Sequence, residues 1–304
     1  MSDTQPCADQ SQPNPVPGSV DSELLKQRFA FYRPRILLWT TLGYGAFYFV
    51  RKNLSVAMPI LQDQLGIAKA DLGIFLTLHG LLYGISKFIN GILCDRADAR
   101  VFMAIGLIAS AVINVCFGMS GTVIALGAFW MLNGWFQGMG YPPCARLLTH
   151  WFSPKELATK MSLWNTSHSL GAGAIVILCG FLVTHFHNWR LCFFVPAAIA
   201  ALMSMALLRW LVDAPESVGL PEVEGTRTTG LAAGIVLSTR EFRSLLYEKV
   251  FADKYIWIAS AANFFVYVIR YAVLDWGPTM LMEAKGVKLS IASWMIASFE
   301  RRVG

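Results

Sequence analysis

The chain has 304 residues, 55% of them apolar and only 14% charged, and its mean hydropathy is +0.50. That balance excludes a soluble globular domain and an unfolded chain, and leaves an integral membrane protein in contact with a lipid bilayer. The formal net charge of +6 does not call for nucleic acid, because the cations flank apolar runs as membrane-facing groups do.

Residues 1–22 are rich in Pro, Ser, Gln and Asp and lack the apolar core of a signal peptide, so they read as disordered. Seven apolar runs follow at 36–61, 72–93, 101–119, 123–148, 160–184, 189–212 and 255–281, each near the ~20 residues that cross a bilayer. An eighth begins near Ser290 and stops at Phe299, before Glu300, Arg301 and Arg302. The fold class is therefore an all-α membrane protein in four segments. These are a cytoplasmic disordered tail (1–34), a six-helix transmembrane unit (35–212), a central cytoplasmic loop (213–253), and a stretch (254–304) holding one helix and part of the next. Within the loop, Glu241, Phe242, Leu245, Leu246, Lys249 and Val250 suggest a helix lying on the membrane surface.

Lys26, Arg28, Arg33 and Arg35 precede the first run, Arg96 and Arg100 follow the second, Lys155 and Lys160 lie beyond the fourth, and Arg209 ends the sixth. The alternate loops carry little besides Lys69 and Arg190, so the N-terminus is expected in the cytoplasm, with a bacterial inner membrane as the location. Six spans, a polar loop and further spans form the layout of a transporter built from two six-helix halves. At 304 residues the chain then reads as a truncated form of such a protein.

Several runs carry polar residues at helical spacing. The first has Tyr44, Tyr48, Arg51 and Ser55; the second has His79, Tyr83, Lys87 and Asn90; the fourth has Asn133, Gln137 and Tyr141. The fifth has Asn165, His168 and Ser169, and the seventh has Asn263, Tyr267, Arg270 and Tyr271. Residues three and four apart share one helix face. Spans one, two, four, five and seven are thus expected to line a polar interior, and three and six to face lipid. Such stripes are also what helix-to-helix hydrogen bonding would leave.

A charge in mid-membrane costs about 2.5–3.5 kcal/mol and usually faces a cavity or a partner. Arg51 lies ~22 Å along a helix from Ile36, too deep to reach the headgroups easily, whereas its neighbour Lys52 is expected to snorkel. Two guanidinium forks, Arg51 and Arg270, on separate spans suit a phosphate. Lys87 fits either snorkelling or the site. His168 fits either a satisfied hydrogen bond or a group that responds to phosphate charge. Asp275, five residues from Arg270, does not stack on it. The six cysteines lack metal or disulfide spacing and read as packing residues. With no nucleophile–base pair, metal cluster or nucleotide loop, neither an enzyme nor a cofactor is expected. Glycine pairs Gly80/Gly84 and Gly134/Gly138 allow close helix contact.

The segment G-I-L-C-D-R-A-D-A-R, with Gly91, Asp95, Arg96 and Arg100, resembles the loop between the second and third helices of the major facilitator superfamily. Four further segments resemble the organophosphate:phosphate antiporter family: Y-F-V-R-K-N-L-S-V-A-M-P (48–59), Y-G-I-S-K-F (83–88), N-G-W-F-Q-G-M-G-Y-P-P-C-A-R (133–146) and L-W-N-T-S-H-S-L-G (163–171). So does V-Y-V-I-R-Y-A-V-L-D-W-G (266–277). The resemblance implies the N-terminal six-helix half of a major facilitator fold plus the start of the second half. It implies exchange of an organophosphate, a sugar phosphate or glycerol phosphate, for inorganic phosphate by alternating access. By the same resemblance Arg51 and Arg270 grip the phosphate, Lys87 and His168 assist, and Tyr44, Tyr48, Tyr83, Tyr141, Trp164, Asn165 and Tyr267 surround it. Gly91, Asp95, Arg96 and Arg100 would form the conformational loop motif. The D-W-G after Arg270 looks more like the hexose-phosphate sensor and glucose-6-phosphate branches than the glycerol-3-phosphate branch. The alternative is a membrane sensor of an external hexose phosphate acting through a partner kinase.

Overall fold

The computed structural model describes residues 17–223, 244 and 247–303, and ten α-helices run through them. In chain order these are α1 (Pro17–Phe49), α2 (Asn53–Leu65), α3 (Lys69–Cys94), α4 (Ala99–Met119), α5 (Val123–Gln137) and α6 (Tyr141–Trp151). They continue as α7 (Pro154–Phe186), α8 (Leu191–Trp210), α9 (Lys254–Lys285) and α10 (Leu289–Val303). Five of them, α3, α4, α7, α8 and α9, are each long and apolar enough to cross a membrane. The other two runs that read as single spans are divided, the first into α1 and α2 and the fourth into α5 and α6.

Helix α1 begins at Pro17, so the stretch 17–34, expected to be disordered, is helical. Contacts hold it there. Phe29 and Tyr32 pack on Trp151, Arg33 donates to the Trp151 carbonyl at 3.0 Å, and Arg28 donates to the Val218 carbonyl at 2.5 Å. Residues 1–16 and most of the central loop lie outside the described residues. With them goes most of the expected surface helix, including Glu241, Phe242, Leu245 and Leu246; Tyr247–Phe251 form a short π-helical turn.

The break at Val50, Arg51 and Lys52 has no glycine or proline to cause it. Side chains from other helices hold it open instead. The Val50 carbonyl accepts Nδ2 of Asn114 at 3.0 Å and Nδ2 of Asn133 at 2.8 Å. Asn53, the first residue of α2, donates to Oδ1 of Asn114 at 2.8 Å and to the Cys192 carbonyl at 2.9 Å. Irregular backbone at membrane depth persists only where such partners replace the lost helix bonds. The second break, at Gly138–Gly140, has a local cause, since Pro142 and Pro143 have no N–H to continue the ladder from α5.

The apolar core divides at the level of these breaks. One cluster, around Phe47, Met103, Leu147, Trp151 and Leu207, fills the half nearest the basic loops. The other, around Leu54, Met58, Phe117, Trp130 and Phe193, fills the opposite half and takes in Leu274 and Ile296 from α9 and α10. These two halves are called the basic end and the far end below.

Helices α4 and α8, expected to face lipid, pack tightly on each other. Their few polar groups serve this packing, as Ser204 donates to the Ala104 carbonyl at 2.9 Å and Ser110 and Asn114 are buried. Gly134 and Gly138 do allow close approach, because a Cβ on either would strike His79 or Ser86 of α3 at under 3 Å. Nothing among the described residues comes within 4 Å of a Cβ at Gly80 or Gly84, so that pair makes no helix contact here.

Losing the Asn114 amide leaves the Val50 carbonyl with one donor, Asn133, and takes from the Asn53 amide one of its acceptors, in a low-dielectric layer. Asn114→Ala is expected to destabilise the protein by about 1–2 kcal/mol, read as a lower midpoint of thermal unfolding in detergent. An unchanged midpoint would show that the break does not need this amide.

Candidate organophosphate site

Arg51 sits in the break between α1 and α2 and is 8% exposed, although it lies in the middle of an apolar run. Its guanidinium stands over the Tyr83 ring at 4.1 Å and the Tyr48 ring at 5.3 Å. Its Nη2 donates to the Tyr271 hydroxyl at 3.2 Å. Lys87 is held in the same manner, with Nζ 3.9 Å above the Tyr141 ring and 5.9 Å from Tyr83. Aromatic faces attract cations through their quadrupole without supplying a negative charge. Both cations therefore keep their full charge toward the space between them.

That space is a cavity of about 640 Å³ walled by α1, α3, α7 and α9 and by Trp130 of α5 and Tyr141 of α6. Of the sequence-predicted site residues, Arg51, Lys87, His168, Tyr44, Tyr48, Tyr83, Tyr141, Asn165 and Tyr267 line it. Trp164 and Arg270 stand beside the wall rather than in it. Trp164 packs on Tyr44 at 4.7 Å and donates to the Thr40 carbonyl at 3.3 Å, which fixes the tyrosine from behind. Arg270 donates to the Ser169 hydroxyl at 3.1 Å, joining α9 to α7. The stripe residues Asn133 and Gln137 turn inward to other helices, to Val50 and Ser110, and act as helix-to-helix links, while Asn90 donates to Ser86 of its own helix.

Lys52, expected to snorkel, is 5% exposed, and its Nζ lies 2.5 Å from Oδ1 of Asp275 on α9. Its ammonium also stands 4.5 Å from the centre of the Tyr271 ring. The break explains the difference, since it turns Lys52 out of the helix direction that leads to the headgroups and toward α9. Among the described residues, Asp275 is the one carboxylate on the cavity wall, against Arg51, Lys52 and Lys87. With it committed to Lys52, the wall is left strongly electropositive and suited to an anion. His79 and Tyr271 stand on the polar stripes that the sequence reading turns to the interior, though outside its site, and Lys52, Asp275 and Trp130 are wall residues that it does not place there. Adjacency of Lys52 to Arg51 and the i, i+4 spacing of Tyr271 and Asp275 are the signals that carry the Lys52–Asp275 pair.

The loop after α3 is organised by residues outside its motif. Arg146 of α6 donates to the Cys94 carbonyl at 2.5 Å and to the Ala97 carbonyl, and to Oδ2 of Asp213 at 3.2 Å. Asp213 in turn accepts the Ala99 N–H at 2.8 Å, at the start of α4. Of the motif itself, Asp95 and Arg96 are exposed, Arg100 pairs with Asp98 at 3.2 Å, and no atom outside its own helix backbone approaches within 4 Å of a Cβ at Gly91.

The sequence profile of the Major Facilitator Superfamily matches residues 40–300. The chain belongs to this superfamily. It is 42% identical to a probable hexose phosphate transport protein of Chlamydia trachomatis, over 92% of this chain and 64% of that one. It is 37% identical to the glycerol-3-phosphate transporter of Bacillus subtilis, over 95% and 66%, and 38% identical to the membrane sensor protein UhpC of Salmonella typhimurium, over 95% and 65%. The chain thus spans about two thirds or slightly less of the length of these curated relatives. They belong to the organophosphate:phosphate antiporter family that the motifs imply. Among solved structures, a bacterial homologue of the lysosomal transporter Spinster, inward-facing and unoccupied, superposes with a TM-score of 0.68 at 20% identity, over 88% of this chain and 60% of that one. That likeness shows the fold; the superfamily match and the apolar helices make the chain an integral membrane protein.

A buried ion pair is costly to break from one side. Asp275→Asn, which leaves Lys52 buried without its counter-charge, is expected to cost about 3–5 kcal/mol, and the double change Lys52→Met with Asp275→Leu to recover most of it. Thermal unfolding of the three proteins in detergent reads this directly. A double variant no more stable than Asp275→Asn would contradict it.

Proposed function

We propose that the chain carries the phosphate-gripping part of an exchanger that moves a sugar phosphate or glycerol phosphate in one direction and inorganic phosphate in the other. The observation that carries the reading is the state of Arg51, a buried guanidinium at a cavity wall, held by tyrosine rings and a hydroxyl with no carboxylate on it among the described residues. A phosphate replaces these weak contacts with paired charge-assisted hydrogen bonds, which only a fork of this kind supplies. The printed functions of the relatives, hexose phosphate transport and glycerol-3-phosphate transport, support the substrate class.

The two ends of the bundle support alternating access. At the far end α9 meets α2, Lys52 bonds Asp275, and Lys69 bonds Glu283 at 2.5 Å. Toward the basic end α9 separates, and Tyr255 through Ile269 are exposed. The basic loops put this end in the cytoplasm, with the N-terminus, in a bacterial cell membrane. The cavity is then closed outward and open inward. Phosphate bound at Arg51 offers the adjacent Lys52 a second anion and repels Asp275, which weakens the far-end closure. A carrier with an empty cavity keeps unpaired cations at mid-membrane and reorients reluctantly, which couples one phosphate to the other.

The 38% identity to a membrane sensor supports a second reading, in which the same site binds an external hexose phosphate and signals to a partner kinase without net exchange.

Vesicles reconstituted with the protein and loaded with phosphate test the first reading through uptake of labelled phosphate, glucose 6-phosphate or glycerol 3-phosphate. Saturable exchange supports it, and binding without exchange supports the sensor. Arg51→Lys is expected to weaken binding of all three about 10- to 100-fold, the loss of one or two charge-assisted bonds. Undiminished binding would remove Arg51 from the site.

A further inference from the structure

Asp275 shares its ion pair unevenly with the cavity. Both partners line the wall, but the Asp275 side chain is 16% exposed and that of Lys52 only 5%. Its two oxygens also differ. Oδ1 lies 2.5 Å from Nζ of Lys52. Oδ2 makes no hydrogen bond among the described residues, and it is not one of their sealed, unpaired polar atoms. Tyr271, Ala272 and Trp276 of α9 line the cavity beside Asp275, while Leu274 is turned away at 2% exposure. That is the helix face on which Asp275 stands, so the open oxygen belongs to the cavity. An ionised carboxylate oxygen can only accept. Oδ2 is therefore an acceptor awaiting a donor in a wall otherwise dominated by cations.

We propose that Oδ2 of Asp275 accepts one hydroxyl of the organic part of the substrate, a claim that rests on the phosphate reading of Arg51. Charge sorts the two ends of such a ligand. The carboxylate repels the phosphate, which goes to the guanidinium, and a hydroxyl is the group of a sugar or glycerol phosphate that donates. The bond is charge-assisted and so stronger than one between neutral groups. The placement agrees. Tyr271 accepts Nη2 of Arg51 at 3.2 Å, and the Lys52 ammonium stands 4.5 Å from the centre of the same ring. Asp275 is one turn further along α9, ~6 Å along the axis, a span that the carbon skeleton of a phosphate ester can bridge. The ligand class is a phosphate ester that carries a hydroxyl about that far from its phosphate. A bond to Oδ2 also competes with Lys52 for the carboxylate, so the organic part of the ligand acts on the same ion pair as its phosphate.

The test uses the full chain in bilayer nanodiscs. The probes are glucose 6-phosphate and glycerol 3-phosphate, each with analogues in which one hydroxyl at a time is replaced by fluorine, which cannot donate. Wild type is expected to bind the analogue altered at one particular hydroxyl about tenfold more weakly, the yield of one hydrogen bond to a charged group. In Asp275→Asn the Lys52 ammonium still needs an acceptor, so the amide oxygen takes the place of Oδ1 and the amide N–H that of Oδ2. The loss at that hydroxyl is expected to vanish, because a donor there tolerates fluorine, while any losses at other hydroxyls stay. Lys52→Met with Asp275→Leu, the pairing expected to restore stability, is expected to abolish the same loss, and it carries the test if Asp275→Asn does not fold. Wild type indifferent to fluorine at every hydroxyl overturns the inference. An undiminished loss at the same hydroxyl in either variant overturns it as well. Failure of wild type to bind either ester or inorganic phosphate is a different result, and it overturns the phosphate reading of Arg51 itself.

Discussion

The Val50 carbonyl accepts two asparagine amides from α4 and α5, and those bonds let the first span lose its helical ladder halfway through the membrane. Without them the stranded backbone groups would cost several kcal/mol and the span would close into one helix. An unbroken helix would keep Arg51 and Lys52 about 100° apart around its axis. In the break they reach different partners instead, Arg51 the tyrosine-lined cavity and Lys52 the carboxylate on α9. The cavity's charge, the closure of the far end and the register of α2 against α9 all follow from that local departure from helix.

What could be read in the sequence, and what could not, follows the same division. Arg51, Lys87 and His168 stand out because polar groups inside an apolar run are costly and rare, and all three line the cavity. Five of the seven apolar runs were equally legible, each forming one helix long and apolar enough to cross a membrane, since apolar length is set by the bilayer. The break at 50–52 was not, because its causes lie 64 and 83 residues further along the chain. Lys52 was misread for that reason, its partner Asp275 being 223 residues away. The division of 123–148 had a local signal in Gly138, Gly140, Pro142 and Pro143, but hydropathy does not dip there. Trp130 looks like any apolar core residue, and only its unpaired N–H beside His79 sets it apart.

Adjacent cations with unlike partners give the site its direction. A carboxylate on Arg51 would neutralise the guanidinium and compete with phosphate for it. Tyrosine rings hold a desolvated cation by roughly 2 kcal/mol and withdraw little when an anion arrives. Lys52 has the opposite arrangement, a carboxylate at 2.5 Å in a buried setting, so the energy that holds the far end shut depends on its charge being balanced locally. A ligand shifts a conformational balance only by as much as it favours one state over the other. Under the proposed phosphate reading, an anion at Arg51 would meet that condition electrostatically, because its charge acts on Lys52 and Asp275 with opposite sign. On that same reading a neutral molecule in the cavity would fill the space and leave the closure untouched, so the anionic group would be the part of a ligand that moves the protein.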